Sequence, residues 1–410
     1  MSGCTSANWR GRGLEMIAGF SISRLPRIVF GAGQIRQIPG LARQYGAKAL
    51  LVTGARSFRQ SPRWDALLAG LAEAGVSFEA MTVSGEPSPA VVDAAVARFL
   101  GQGIEVVIGI GGGSVLDAAK AIAGLLPHGN SVMDHLEGVG RNIPYNGPSL
   151  PFIAAPTTAG AGSEATKNSV LSVVGEFKKS FRHECLVAEY AVVDPDLLAT
   201  CPQDLIAADG MDAFTQLLES FVSAKANPFS DALAISGMQS FKSGFFDAWR
   251  GGDSPQAQAG RAAMAYAALL SGITLAQVGL GSVHGLAAPL GAFYPIPHGL
   301  ACGTLLAEAT ALNIQALRER TPSHPALGKY AQAGEILCGQ TFADESAACA
   351  GLVALLREWT DTLDLKRLGA FGVALADVDN IVANSRGNSM LTNPVLLTDA
   401  EIAGLVRARL

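Results

Sequence analysis

Residues 109–120 read Gly-Ile-Gly-Gly-Gly-Ser-Val-Leu-Asp-Ala-Ala-Lys and follow directly on the apolar run Ile104-Glu105-Val106-Val107-Ile108. A β-branched run, a glycine-only turn and an alanine-rich segment predict a strand, a tight connection and the start of a helix. Gly111, Gly112 and Gly113 carry no side chains, so a ligand can press against bare backbone N–H groups. This reading makes Ser114 the helix cap, with Asp117 three residues on as its capping-box partner. A helix N-terminus of this kind binds phosphate through its unpaired donors and its dipole. The segment therefore points to a nucleotide or dinucleotide cofactor. The spacing is not G-x-G-x-x-G, and the other reading is a tight βα turn that binds nothing.

Outward from this stretch, strand-like and helix-like segments alternate. Ala49–Thr53, Val106–Ile108, Pro151–Ala155 and Ala191–Val193 read as strands, and Ser61–Ala74 and Ala90–Leu100 have helical spacing. Alternation predicts an N-terminal α/β domain with a mostly parallel sheet. After Pro202 the pattern turns helical at 204–223, 229–248, 257–278, 300–319, 326–338, 345–360 and 399–409, an all-α C-terminal domain. The expected division is 16–199 and 200–410, with a short seam at Pro195–Pro202 and thus tight packing between the halves. Residues 1–15 carry Arg10 and Arg12 but no apolar h-region, and read as a disordered tail or the result of a misplaced start codon rather than a signal peptide.

Composition narrows the partners. Only 16% of the 410 residues are charged, against about 25% in an ordinary chain, which suits a heavily buried enzyme. A net charge of −5 provides no broad basic field and argues against nucleic acid. Cys4, Cys185, Cys201, Cys302, Cys338 and Cys349 form no C-x-x-C pair, so they read as free thiols in a reducing cytoplasm, with no cysteine zinc site. From Ala262 to Ala307 there is no Asp, Glu, Lys or Arg, a length that could span a membrane. Gly272, Gly279, Gly281, Gly285, Pro289, Gly291, Pro295 and Pro297 are expected to break it into short pieces. Ser271, Thr274, Gln277, Ser282, His284 and His298 add polar groups that lipid penalises, so buried helices around a site are expected instead.

Asp212 and Gln216 stand one turn apart on one helix face. His284 and His298 lie far along the chain in the chargeless stretch, each followed by glycine. One carboxylate, two imidazoles and a fourth oxygen donor suit a divalent transition metal. The plainer reading is two histidines satisfied in a core. His128, His135, His183 and His324 read as surface or loop residues.

Together these residues resemble the iron-dependent (group III) alcohol dehydrogenase family. The resemblance runs from Leu25-Pro26-Arg27-Ile28-Val29-Phe30-Gly31 to Thr392-Asn393-Pro394. It is carried by Gly111–Lys120, Pro156–Thr166, Val193-Asp194-Pro195, Gly210-Met211-Asp212-Ala213 and Pro297-His298-Gly299. It implies a dehydroquinate synthase-like architecture with cofactor and metal between the two domains, in a cytoplasmic homodimer or larger homo-oligomer. Members interconvert small-molecule alcohols with aldehydes or ketones, using NAD or NADP. On this chain the resemblance implies that Gly111, Gly112, Gly113 and Ser114 hold the diphosphate, with Asp117 ordering the loop and Lys120 on the same helix. Thr157 and Thr158 would approach the nicotinamide-side phosphate and ribose. Lys178 would bond that ribose. Asp212, Gln216, His284 and His298 would hold Fe2+ or Zn2+, which would polarise the substrate oxygen.

Two positions depart from the family pattern. Gln216 stands where the family has a fourth metal-ligating His, and Ala288 where it often has an active-site His that relays a proton. An amide oxygen binds these metals more weakly than imidazole, so a substoichiometric ion is expected. A metal-independent reductase of the maleylacetate reductase type and a catalytically lapsed dinucleotide-binding protein remain as alternatives.

The cofactor reading is testable at Gly54, which ends the strand Leu50–Thr53. An acidic residue at the end of an early strand bonds the adenosine ribose and repels a 2′-phosphate. Gly54 leaves room instead, and Arg56, Ser57 and Arg59 supply phosphate donors, so NADP is accepted. Gly54→Asp should shift the ratio of kcat/KM toward NAD, and an unchanged ratio would show that this position does not select the cofactor.

Overall fold

The computed structural model describes residues 17–410, so the tail expected at 1–15 lies outside the described residues. Among the described residues eight strands form: β1 (Arg27–Phe30), β2 (Lys48–Gly54), β3 (Ser77–Val83), β4 (Val106–Gly111), β5 (Phe152–Pro156), β6 (Asn168–Val173), β7 (Phe177–Arg182) and β8 (Tyr190–Val193). Six of them pair in parallel in the order β1-β8-β5-β4-β2-β3. β4 and β5 are buried along their whole length, because a parallel sheet is covered on both faces; their apolar runs are accordingly unbroken rather than alternating. The chain runs outward from β2 to β3, then returns to β4 on the other side of β2 and continues away. The strand order thus reverses between β2 and β4, the place where open α/β sheets bind ligands.

The helices are α1 (Ile38–Arg43), α2 (Pro62–Glu73), α3 (Pro89–Phe99), α4 (Gly113–Leu125), α5 (Gln203–Val222), α6 (Pro228–Arg250), α7 (Pro255–Val278), α8 (Ser282–Phe293), α9 (His298–Arg320), α10 (Pro325–Cys338), α11 (Glu345–Thr362), α12 (Val378–Asn384) and α13 (Asp399–Ala408). Among the described residues every strand ends by Val193, and the helices from α5 onward form one apolar core. α7 and α9 are long and apolar enough to cross a membrane, but most of each is buried inside the protein.

Three local expectations are corrected. The chargeless stretch is interrupted only at 279–281 and 294–297. Gly272 lies inside α7, and Gly285, Pro289 and Gly291 inside α8. These glycines serve contacts, not breaks: a Cβ on Gly272 would stand 2.2 Å from the Gly162 carbonyl oxygen, and one on Gly285 2.9 Å from Met390 Cε. Secondly, β6 and β7 form an antiparallel hairpin that local patterning did not single out. It packs on α4, and Gly175 N–H donates to the Ala292 carbonyl of α8 at 2.8 Å, tying the sheet half to the helical half.

Thirdly, Ser114 does not cap α4. The cap position is Gly112, without a side-chain bond. Asp117 is no capping-box partner either; it accepts from Ser163 Oγ and from Val170 N–H at 3.0 Å. The physical reason is packing. A Cβ on Gly113 would stand 2.9 Å from Ala161, and one on Gly112 3.3 Å from Thr158, so the helix starts directly under the loop that follows β5. Lys120 completes this junction. Its buried ammonium reaches the Ser163 carbonyl (2.8 Å), Thr166 Oγ1 (2.9 Å) and the Asn168 carbonyl (2.7 Å). Burial pulls Lys120 down to about 8, against the attraction of Asp117 and Glu164. Lys120→Met should destabilise the fold by roughly 3–5 kcal/mol, as removal of one partner from a buried ion pair does. A loss within the ~1 kcal/mol of an exposed pair, read by denaturant unfolding, would show that Lys120 does not hold this loop.

Candidate metal and cofactor site

α5 presents Asp212, Gln216 and Glu219 at i, i+4 and i+7, one face of a helix, and all three are buried. Glu219 reaches across to the start of α8. Its Oε1 accepts from Val283 N–H at 2.7 Å, and Asn393 Oδ1 accepts from Ser282 N–H at 3.0 Å. α8 has no side-chain cap of its own, so these two remote groups satisfy two of its free donors and place a negative charge at its positive end. Gly281 permits the approach: a Cβ there would stand 2.8 Å from Glu219 Oε1.

Glu219 Oε2 also lies 2.7 Å from His284 Nδ1. An ionised carboxylate only accepts, so Nδ1 carries the hydrogen and donates it. His284 Nε2 then faces Asp212 Oδ1 at 3.1 Å. On a neutral ring both atoms are acceptors, and the pair needs a proton or a cation between them. His298 Nε2 lies 3.9 Å from the same oxygen. Cys302 Sγ, one turn beyond His298 on α9, is 3.6 Å from His284 Nε2 and 3.9 Å from His298 Nε2. One donor atom from each of Asp212, His284, His298 and Cys302 falls within 4.8 Å of all the others. The His298 side chain is 31% exposed and those of Asp212 and His284 are 4% and 6%, so the group opens to solvent on the His298 side.

Burial and the neighbouring charges set the protonation of this group, with Asp212 and His298 in the form that donates to a cation. Burial opposes the Asp212 charge, but His298 and the bond from His284 outweigh it and hold the carboxyl at about 2. Burial pushes His298 down to about 4, which leaves its ring neutral near neutrality with a lone pair to give. Burial would likewise lower His284, but Cys302, Asp212 and Glu219 raise it well above an ordinary imidazole. Burial drives the Cys302 thiol up to about 12. His298 Nδ1 is buried with no hydrogen-bond partner among the described residues.

The cofactor candidates gather at one edge. Gly54 ends β2 beside β4, and Gly111 lies opposite Pro156, so Gly54, Gly111 and Thr157 share the C-terminal edge of the sheet at the order reversal. Thr157 N–H donates to the Gly111 carbonyl at 2.9 Å. A Cβ on Gly54 would meet only Val115, at 4.0 Å. Arg56 and Ser57 are exposed, whereas Arg59 stacks over Trp64 at 4.5 Å. Lys178 on β7 pairs with Glu86 Oε1 at 2.5 Å and lies near Gly291 of α8. Asp209 joins this edge to the metal group. It precedes Asp212 by one turn, and a Cβ on Gly160 would stand 2.8 Å from it. Burial, then the charge of Asp212, push its carboxyl up to about 8 against a bond from Thr158.

Comparison with known proteins shows the family. The profile of iron-containing alcohol dehydrogenase matches residues 26–195, and that of the family's C-terminal region matches residues 206–410. The chain belongs to the iron-containing alcohol dehydrogenase family. It is 32% identical over 394 residues to long-chain-alcohol dehydrogenase 1 of Geobacillus thermodenitrificans, covering 93% of this chain and 96% of the relative. It is 29% identical over 389 residues to the NAD-dependent methanol dehydrogenase of Bacillus methanolicus, covering 93% and 97%. The crystal structure of a 1,3-propanediol oxidoreductase superimposes with a TM-score of 0.87 at 27% identity, covering 96% of this chain and all of that one. The family places the chain among oxidoreductases acting on CH–OH groups.

In this iron-containing alcohol dehydrogenase the structure brings Asp212, His284 and His298 together. Gln216 does not join them by any hydrogen bond; its amide oxygen accepts from Ser271 Oγ at 2.7 Å. Ala288 lies one turn beyond His284 on α8 and offers no proton donor. Sequence reasoning passed over Glu219 and Cys302. Both carried a signal, since Glu219 is seven residues from Asp212 and Cys302 four from His298, spacings that keep them on the same helix faces. The absence of paired cysteines excluded only all-cysteine sites. His183 caps a three-residue helical turn and His324 caps α10, as loop residues do. Glu219→Gln keeps an acceptor for Val283 but removes the charge beside His284. It should weaken divalent-metal binding 10- to 100-fold, measured by chelator competition, and unchanged affinity would show that Glu219 serves α8 alone.

Proposed function

We propose that the protein is an NAD(P)-dependent alcohol dehydrogenase, equally an aldehyde or ketone reductase, assisted by Fe2+ or Zn2+ at Asp212, His284 and His298. The observation that carries this reading is the buried group in which one donor atom from each of Asp212, His284, His298 and Cys302 lies within 4.8 Å of the others, with Glu219 closing His284 from behind, so that a cation can take the place of the proton between His284 Nε2 and Asp212 Oδ1. The donor set suits a borderline transition metal. When bound, such an ion supplies Lewis-acid assistance at the substrate oxygen, and the nicotinamide supplies the hydride chemistry.

The chain's own residues do the positioning. Gly111, Gly112, Gly113 and Ser114, with Asp117 bracing the loop, present the α4 N-terminus to the diphosphate. Thr157 and Thr158 adjoin it, and Lys178 offers a charge from the hairpin. Gly54 and exposed Arg56 support acceptance of NADP beside NAD. The substrate is a small-molecule alcohol or carbonyl compound.

A homodimer is supported by β1, an edge strand on which Ile28 is 44% and Phe30 40% exposed; an unpaired apolar edge is a ready interface. Free thiols at Cys185, Cys201, Cys302, Cys338 and Cys349 favour a cytoplasmic setting. Chelator-stripped enzyme should lose activity about 10²- to 10³-fold, the several kcal/mol of metal polarisation. Added Zn2+ or Fe2+ should restore it, while His284→Ala should stay inactive. Full activity in both the stripped enzyme and His284→Ala would favour the metal-independent reductase.

A further inference from the structure

We propose that the fourth protein donor to the metal is the Cys302 thiolate, not the Gln216 amide, which makes this an Asp-His-His-Cys site. The inference rests on the metal-assisted reading above and goes to which of this chain's residues complete the donor set. Bonds of about 2.0–2.3 Å from a tetrahedral ion set neighbouring donor atoms about 3.3–3.6 Å apart. The observed edges are 3.1 Å from Asp212 Oδ1 to His284 Nε2, 3.6 Å from Cys302 Sγ to His284 Nε2, and 3.9 Å from each of Asp212 Oδ1 and Cys302 Sγ to His298 Nε2. One of these edges lies in that range and the other three within about 0.3 Å of it, and all six are under 4.8 Å, so small side-chain shifts bring the four donors onto one such polyhedron. Gln216 Oε1, the atom of that side chain able to coordinate, is held by Ser271 Oγ.

The local architecture fixes Cys302 in this place. It follows His298 by one turn of α9, so both side chains lie on one face. α9 is pinned against α5 at Gly299, where a Cβ would stand 2.4 Å from the Ala208 carbonyl. Cys302 itself is fully buried. A sulfur donor makes the site softer than one built of carboxylate and imidazole alone, and of the two ions considered it favours Zn2+. It also removes the reason to expect a loosely held ion, which was the weakness of an amide in fourth place.

The test uses full-length protein, stripped with chelator and titrated with Co2+ or Zn2+. The Co2+ protein should show a thiolate-to-cobalt charge-transfer band in the near ultraviolet. Cys302→Ser should abolish that band and weaken Zn2+ binding at least about tenfold, the lower bound for losing even an outer partner of a ligand. Gln216→Ala should keep the band. Zinc-edge X-ray absorption on the wild type needs no variant and should find one sulfur at about 2.3 Å. Metal binding without the band and without a sulfur neighbour would overturn the Cys302 assignment and leave the metal reading standing. Failure of the wild type to bind either ion would overturn both.

Discussion

The Glu219 carboxylate sets the geometry on which the candidate site depends. It leaves α5, satisfies the N-terminus of α8 through Val283 and holds His284 by Nδ1. One buried charge thereby fixes the relative register of two helices, the tautomer of one imidazole and the direction in which its free nitrogen points. Asp212, two turns earlier on the same helix, receives that nitrogen. A carboxylate could not stay charged at this depth without such partners. The partners are backbone donors, a helix end and a ring N–H, none of which needs a cation to be present.

The same economy of charge holds across the molecule. A chain with 16% charged residues nonetheless buries Lys120, Glu164, Asp194, Asp212, Glu219 and Arg261. Lys120 and Asp117 brace the loop after β5 against α4. Asp194 accepts from Gly33 N–H and Ile35 N–H at 3.0 and 2.9 Å, holding the turn after β1 to the end of β8. Lys120 and Asp194 thereby hold loop backbone that has no ladder partner. Glycine supplies the complementary condition. Gly162 against Gly272 lets backbone meet backbone where the two halves join, Gly113 under Ala161 does the same for α4 and the loop after β5, and Gly299 against Ala208 for α9 and α5.

Asp209 links the cofactor edge to the donor cluster. It touches Gly160 in the loop that follows β5 and precedes Asp212 by one turn. The β6–β7 hairpin makes a second link, binding Ala292 of α8 and placing Lys178 close to Gly291. The sheet edge and the helical cluster are therefore one connected unit, and a displacement of either loop would move Asp212, His284 and His298 relative to Gly111 and Thr157.

What the sequence determined by itself was local and periodic. The run Val106–Ile108 before three glycines reads as a strand and turn because both signals lie within a dozen residues. The helices after Pro202 are legible for the same reason, and so is the one-turn relation of Asp212 to Gln216. Shared motifs then pointed to the family. The tertiary structure decided what depends on separation along the chain. Asp212 and His284 lie 72 residues apart, and no periodicity joins them. Glu219 was hidden because its role comes from α8 arriving at it, and Cys302 because a thiol on an apolar helix face looks like any core residue until two imidazoles are packed around it. Ser114 and Asp117 misled for the converse reason. Their spacing fits a capping box, but the loop after β5 lies against the start of α4 and draws Asp117 away to Ser163 and Val170.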